Sequence, residues 1–358
     1  MGNPKAVIVG TKIGSTLHIP ALRAAGFEIA GLVGRDPERT RSVADQHGIA
    51  RTFSGIDDAL DSDAEAVVIA TPPETHHPMT MKAIAAGKHV FCEKPFALDP
   101  GQAREMRDAA AEAGVVGQIV HQLRWFGYAR TVRDLVRSGQ VGRPIQGNFL
   151  FDHMLAARGL GHMPDWWKPA GRGGGWLHNF ASHGIDLLRF MIGEFVEVAA
   201  RLHVDAGREV GVDDGYSFAF VMDTGSGAGM QGVMSGSARA WDACDRSRLV
   251  CEQASLSFDN NRVTLSDAEG TREARLEELG EVVDVPLPGG KDYEDAHGSE
   301  YGKAEQAQMA ASFRARIEDP GYSHPSVATF ADGVAHVEVI AAVQEAARSD
   351  RWVQVVRG

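Results

Sequence analysis

Over roughly the first 120 residues, short apolar runs alternate with amphipathic segments. Ala6–Val9, Ile29–Val33, Ala66–Ala70 and His89–Cys92 are brief, rich in Val, Ile and Ala, and close on or near Gly, Thr or Pro. Runs apolar at every position, rather than at alternate ones, predict parallel strands buried on both faces. Between them, Pro37–His47, Pro78–Ala86 and Pro100–Ala113 carry helical periodicity. Proline opens helices here, where its missing N–H is not needed, and Gly87 and Gly114 stand just past two helix ends, where a left-handed cap is wanted. Strand–helix–strand alternation of this kind predicts right-handed crossovers and a doubly wound parallel sheet, a Rossmann domain.

After about Arg124 the pattern changes. Helical patterns over Ala129–Ser138 and Leu177–Ile192 are separated by a Gly-rich stretch. The runs Val196–His203, Tyr216–Met222, Ala228–Gly236, Arg246–Cys251, Ser255–Phe258 and Arg262–Leu265 then follow with short turns, Asp259-Asn260-Asn261 among them. That spacing predicts hairpins in a large, mostly antiparallel open sheet. Helices near Glu305–Ile317 and Val327–Ala347 end the pattern, with Gly289–Gly302 read as a surface loop. The fold class expected is α/β with an appended α+β domain: residues 1–122 for the dinucleotide-type domain and 123–358 for the second. A broad sheet with one free face also predicts a homodimer or homotetramer formed through it.

The length of 358 residues agrees with two domains, and 44% hydrophobic with 23% charged residues describes an ordinary globular chain. The net charge of −12, with no cluster of Lys or Arg, argues against a nucleic-acid partner. No apolar run is long enough to span a bilayer, so no membrane partner is expected. Cys92, Cys244 and Cys251 have neither disulfide-framework nor zinc-site spacing, and the histidines have no ligand spacing, so no metal is expected. These features, with no signal-peptide layout at Met1–Lys5, point to a cytoplasmic protein.

Candidate chemistry begins at the first strand. Gly10-Thr11-Lys12-Ile13-Gly14-Ser15 follows it, close to the GxGxxG/A dinucleotide fingerprint, with Gly10 in the first position, Ser15 in the third and Lys12 where the middle glycine stands. Lys12 gives up bare-backbone approach to the pyrophosphate and adds a positive charge beside it. The second strand ends in Gly34-Arg35-Asp36. A small residue followed by Arg suits the 2′-phosphate of NADP(H), whereas a carboxylate at the strand tip would select NAD(H). Asp36 also stands where it can cap the following helix. NADP(H) is the expected cofactor and NAD(H) the alternative.

Thr71-Pro72-Pro73-Glu74-Thr75-His76 follows the fourth strand, and Gly87-Lys88-His89-Val90-Phe91-Cys92-Glu93-Lys94-Pro95 covers the fifth. With Gly10, His18-Ile19-Pro20-Ala21-Leu22, Gly173-Gly174-Gly175, His183-Gly184-Ile185-Asp186 and Arg351-Trp352-Val353, the chain resembles the glucose–fructose oxidoreductase/inositol dehydrogenase (Gfo/Idh/MocA) family over essentially its whole length. The resemblance implies an NAD(P)-dependent oxidoreductase. It would pass a hydride between the nicotinamide and a secondary hydroxyl or ketone of a sugar, cyclitol or related polyol. It also implies that Lys94 holds the substrate oxygen and tunes the accompanying proton movement. Thr71, Pro72, His76 and Glu93 then join Gly10, Thr11, Lys12, Ile13, Arg35 and Lys94 around the cofactor. The residues agree: a Lys at a strand's carboxyl end in such a sheet lies where ligands bind, and a cis Lys94–Pro95 bond would fix its geometry.

The second set of site residues is expected on the Leu177–Ile192 helix, where Asn179, His183 and Asp186 share a face by their spacing. The family pattern has Asp, then His; here His183 matches and Asn179 departs, so the amide can orient the imidazole without supplying charge. Asp186 reads as structural. Arg124, His153, Trp167 and Asn179 are the candidates for substrate contact, aromatic faces suiting sugar rings. A non-catalytic dinucleotide or sugar sensor, and an enzyme recycling a tightly held cofactor, are the other function classes open to such a chain.

Overall fold

The computed structural model describes residues 2–155, 165–204, 212–276, 285, 287 and 302–358. The surface loop expected over Gly289–Gly302 lies outside these, apart from Gly302 itself. Two compact units are present, Met1–Trp125 with Val283–Val334, and Phe126–Val282 with Ala335–Gly358. The first unit therefore takes in a late stretch of chain as well as the amino-terminal residues.

In the first unit, β1 (Lys5–Val9), β2 (Glu28–Val33), β3 (Thr52–Phe53), β4 (Ala66–Ile69), β5 (His89–Cys92) and β6 (Gly117–Ile119) form one parallel sheet, ordered β3-β2-β1-β4-β5-β6. This is the doubly wound order, with its strand reversal beside β1. The apolar runs read from sequence are its central strands: β4 is buried at all four positions, and β1 at its last four. A π-helical turn (Gly14–His18) running into α1 (Ile19–Ala24), then α2 (Pro37–Gln46), α3 (Ile56–Leu60), α4 (His76–Ala85) and α5 (Pro100–Glu112) supply the crossovers. Asp36 and Asp99 cap α2 and α5, accepting from the backbone N–H groups of Arg39 and Gln102, each with proline next in sequence.

A parallel sheet needs both faces covered, and α8 (Lys303–Glu318) supplies part of that cover. Phe313 on α8 stacks on Phe91 of β5, with centroids 5.2 Å apart, and on Phe27 at 6.0 Å. Gln118 of β6 donates to the Met309 carbonyl and the Ser312 hydroxyl, both at 3.1 Å, so the helix is pinned by polar as well as apolar contacts.

The second unit is built on a nine-stranded sheet. Its strands are β7 (Pro144–Asp152), β8 (Glu194–His203), β9 (Gly215–Asp223), β10 (Met230–Ser237), β11 (Cys244–Cys251), β12 (Ser255–Phe258), β13 (Val263–Asp267), β14 (Gly270–Ala274) and β15 (Val353–Gln354). They lie in the order β14-β13-β12-β11-β7-β10-β9-β8-β15, antiparallel except for β10 against β7. The Asp259–Asn261 turn joins β12 to β13, its first residue donating to the Arg262 carbonyl. α6 (Gly127–Arg137) and α7 (Ser182–Met191) belong to this unit, and α9 (Phe330–Ser349) passes from the first unit into it. Gly184 of α7 sits over Met234 of β10 and Phe151 of β7, where a Cβ would meet their side chains at 2.3 and 3.0 Å. The expected helix over Leu177–Ile192 opens instead with a π-helical turn, Leu177–Ala181, before α7. No helix among the described residues is long and apolar enough to cross a membrane.

Candidate active site

At the carboxyl end of β1 the chain turns on Gly10, whose φ is +121°; a Cβ there would lie 2.2 Å from the Ala70 carbonyl oxygen. Only glycine fits. The helical turn that follows begins after Ile13 with no side-chain cap, the Ser15 and Thr16 N–H groups turning back to the Lys12 carbonyl at 3.0 and 3.1 Å, at the carboxyl end of β1. That arrangement fits a dinucleotide pyrophosphate. Gly14, which the sequence reading passed over in favour of Ser15, makes the close helix–strand approach: a Cβ would meet Ile8 at 2.9 Å. Thr11, Lys12 and Ile13 lie on the surface of this turn, with Ile13 47% exposed despite being apolar.

At the end of β2, Arg35 is exposed, while Asp36 is occupied as the α2 cap. Gly34 is tightly placed: a Cβ would meet the Thr40 hydroxyl at 2.2 Å. Beside it lies a cavity of about 330 Å³ lined by Pro37, Thr40, Thr52, Phe53, Ser54 and Asp58. Neither β3 nor Asp58 figured in the sequence reading, since a two-residue strand leaves no periodicity to detect.

After β4, the Thr75 hydroxyl donates to that of Thr71 at 2.7 Å, and Pro72 begins the turn into α4. His76 lies behind this loop, fully buried, with Nδ1 2.8 Å from the Pro95 carbonyl and Nε2 2.8 Å from the Thr71 carbonyl. Burial pushes its imidazole down, against the pull of those carbonyls and of Glu93. Its ring therefore ties two loops together rather than lining the outer surface of the turn.

Lys94 follows β5 and is half-buried; the bond to Pro95 is cis, as expected. Burial lowers the lysine's pKa, with Glu93 acting in the opposite direction. Burial would raise the Glu93 carboxyl, but the hydrogen bond and charge of His18, with the charges of Lys94 and His76, outweigh it and hold the group below its ordinary value. Cys92, one residue earlier, is buried and its thiol is pushed far up. Arg124 is 5% exposed: its guanidinium donates to the Val327 carbonyl at 3.1 Å and to Asp332 at 2.8 Å. These bonds tie its loop to the start of α9, which gives this arginine a structural part.

In the second unit, Asn179 is 1% exposed and donates to the carbonyls of Gly173 and Gly175, at 2.8 and 2.9 Å. It thus pins the glycine run onto the π-helical turn. His183, one turn on, is half-buried with Phe180 edge-on at 5.9 Å. Asp186 lies 3.8 Å from Arg189, in keeping with a structural part. Two aromatic residues absent from the sequence-based candidates organise this region. Trp176, 1% exposed, stacks on Phe180 at 4.1 Å, with His153 4.2 Å from Phe180 and Trp167 6.1 Å from Trp176. Burial lowers the His153 imidazole against the charges of Asp245 and Asp152.

Asp213, which precedes β9, is not among the sequence-based candidates. Its carboxylate accepts the Leu177 N–H at 2.6 Å, at the start of the segment carrying Asn179. Burial raises its pKa to about 6, against hydrogen bonds from Leu177 and Trp176 and with help from Asp214. A raised acid pKa means that the folded chain holds the proton more tightly than the unfolded one. Stability therefore falls as pH rises from the ordinary carboxyl value, about 4, through the folded value. Asp213→Asn, whose amide oxygen still accepts from Leu177, should melt higher than wild type above about pH 7 and equally below about pH 4. Thermal melts across that range check it.

A doubly wound sheet with a glycine-first turn after β1, and a Glu-Lys-Pro segment at the same edge, is the arrangement of a dinucleotide-binding domain. Comparison with known proteins makes the assignment specific. Residues 5–121 match the family model described as "Oxidoreductase family, NAD-binding Rossmann fold", and residues 129–257 match the "GFO/IDH/MocA C-terminal domain". The chain belongs to the Gfo/Idh/MocA family. A 1,5-anhydro-D-fructose reductase of Ensifer adhaerens is 36% identical over 200 residues, 55% of this chain and 59% of that protein. The matches to curated relatives thus run over little more than half of those proteins' lengths. Among solved structures, a levoglucosan dehydrogenase in complex with NADH and levoglucosan superposes with a TM-score of 0.83 at 22% identity, over 99% of this chain and 100% of that one. An oxidoreductase domain protein from Kribbella flavida gives 0.84 at 24% identity, over 99% and 100%. At these identities the two structures establish the fold alone.

Proposed function

We propose that this chain is an NAD(P)-dependent dehydrogenase or reductase acting on a secondary hydroxyl or ketone of a sugar, cyclitol or related polyol. The observation that carries the proposal is Lys94: a half-buried ammonium lowered by burial, at the carboxyl edge of the same sheet as the Gly10 turn. Backbone N–H groups of Thr11, Lys12 and Ile13 would hold the pyrophosphate, Arg35 the adenosine ribose, and Thr71, Pro72 and Glu93 the remainder. The nicotinamide, when bound, supplies or accepts the hydride. Lys94 Nζ donates a hydrogen bond to the substrate oxygen and moves its proton as the carbon is oxidised or reduced, which a lowered pKa favours near neutrality. His183 is the other proton-handling group of the proposal, oriented from a helix whose start is pinned by Asn179. Trp167 and His153, backed by Trp176 and Phe180, offer faces for the C–H side of a sugar ring.

The cofactor is NADP(H) in this reading, because Arg35 is exposed and Asp36, the competing carboxylate, is committed to capping α2. Asp58, in the neighbouring cavity wall, is the observation that favours NAD(H). Fluorescence titration should show NADPH binding about tenfold more tightly than NADH, as one charge-assisted contact would give, with Arg35→Ala abolishing the difference. Tighter NADH binding would overturn the assignment. A sugar and polyol screen followed by nicotinamide absorbance then tests the reaction, and absence of turnover with every member counts against it.

The broad sheet supports assembly into a homodimer or homotetramer. On the face opposite the buried Met234 and Phe218, Val233 is 41% exposed and its register partner Ala219 half-buried.

A further inference from the structure

We propose that His18 is a positioning residue for Lys94, acting through Glu93, and that this relay joins the glycine turn to the lysine's chemistry. The inference rests on the reading of Lys94 given above. Glu93 is buried, and its two carboxylate oxygens face different ways: Oε1 meets His18 Nε2 at 2.8 Å, and Oε2 accepts the backbone N–H of Lys94 at 3.1 Å. One carboxylate therefore bridges the end of the Gly14–His18 turn and the peptide that carries Lys94. On the far side of that peptide, His76 holds the Pro95 carbonyl at 2.8 Å.

A buried acid stays ionised only where donors and positive charge compensate it. Around Glu93 these come from His18 on the first helical turn and Lys94 next in the chain. His18 is fixed to this task by its surroundings. It is 0% exposed and set edge-on to Phe91, centroids 5.6 Å apart at 79°, and Phe91 is backed in turn by Phe313. Its Nδ1 is buried with no hydrogen-bond partner among the described residues. An orphaned ring nitrogen costs stability, which an aliphatic side chain in the same place would avoid. The bond to Glu93 is what the imidazole provides and an aliphatic side chain could not. Because His18 ends the π-helical turn, Gly14–His18, that follows the Gly10 turn in the chain, a shift of these residues on cofactor binding is passed to Glu93 and on to Lys94.

The test is trace acetylation of the full-length chain with acetic anhydride across a pH series, reading Lys94 by peptide mass spectrometry. His18→Leu removes the donor, Glu93 takes up a proton, and the Lys94 labelling midpoint should fall by about one pH unit. His18→Gln, which keeps a donor, should restore most of the shift. Glu93→Gln should give the same fall as His18→Leu, and the double variant no more than either. An unchanged midpoint in a folded His18→Leu protein, or additive shifts, would overturn the relay. Where His18→Leu does not fold, equal midpoints for Glu93→Gln and Glu93→Gln/His18→Gln support the relay, and a further fall in the double variant overturns it. Labelling needs no substrate, so failure here is separable from failure of the sugar screen.

Discussion

Lys94→Ala should lower kcat/KM about a thousandfold, within the range ascribed to a positioned proton-transfer group, against whichever sugar or polyol the screen identifies. NAD(P)H affinity should change little by comparison, because the Gly10 turn and Arg35, proposed to hold the cofactor, stand on other elements. Loss in kcat with KM little altered would mark an interaction made mainly in the transition state; a rise in KM alone would make Lys94 a substrate anchor. The pH profile carries the same information. Burial lowers the Lys94 pKa, so the form that accepts a proton in alcohol oxidation becomes available nearer neutrality than for a surface lysine. Glu93→Gln removes the opposing charge and should move the limb assigned to Lys94 to still lower pH. A Lys94→Ala variant retaining full turnover, measured by stopped absorbance at saturating cofactor, would sink the proposed mechanism.

The parts of this molecule that sequence disclosed are those governed by local rules. The apolar runs became β1, β2, β4 and β5 within a residue at each end, since a strand covered on both faces has no polar alternation to confuse it. Gly10 and Asp36 were legible because a turn with positive φ and a helix cap each demand a few residue types. β7 was not. It opens on Pro144, contains Gly147 and shows no clean alternation, yet it pairs with both β10 and β11. Its glycine leaves room for the Phe149 ring two residues on and for Met230 of β10, which a Cβ there would meet at 2.4 and 2.6 Å. Within the site, the identities of Glu93, His76 and His18 were visible, but not that His76 binds carbonyls on two loops or that His18 reaches Glu93. Those contacts bridge 19 and 75 residues of chain, beyond any periodic signal. Arg124 shows the same limit from the other side. An arginine placed where the first domain ends reads as a ligand contact, whereas Asp332 pairs with it from 208 residues further on.

The longest such reach concerns the makeup of the first unit, and it yields the second large effect. Phe313→Ala should destabilise the first unit by about 3–5 kcal/mol, the usual cost of emptying a fully buried phenylalanine site. Phe313 is 0% exposed and fills the space against Phe91 and Phe27, two rings belonging to the amino-terminal part of the chain. For a unit of this size the loss corresponds to roughly a 10 °C fall in its melting transition. Phe313→Leu keeps most of the volume and should cost well under half as much. The comparison also decides whether α8 is an integral part of the sheet's cover or an appendage. If α8 only leans on the sheet, its neighbours relax and the alanine variant melts within about 2 °C of wild type by differential scanning calorimetry. If it completes the cover, the cavity persists behind Phe91, three residues before Lys94 on the same strand and turn. The loss should then show as faster Lys94 acetylation at temperatures well below the melt, because the peptide bearing the lysine is among the first to be released.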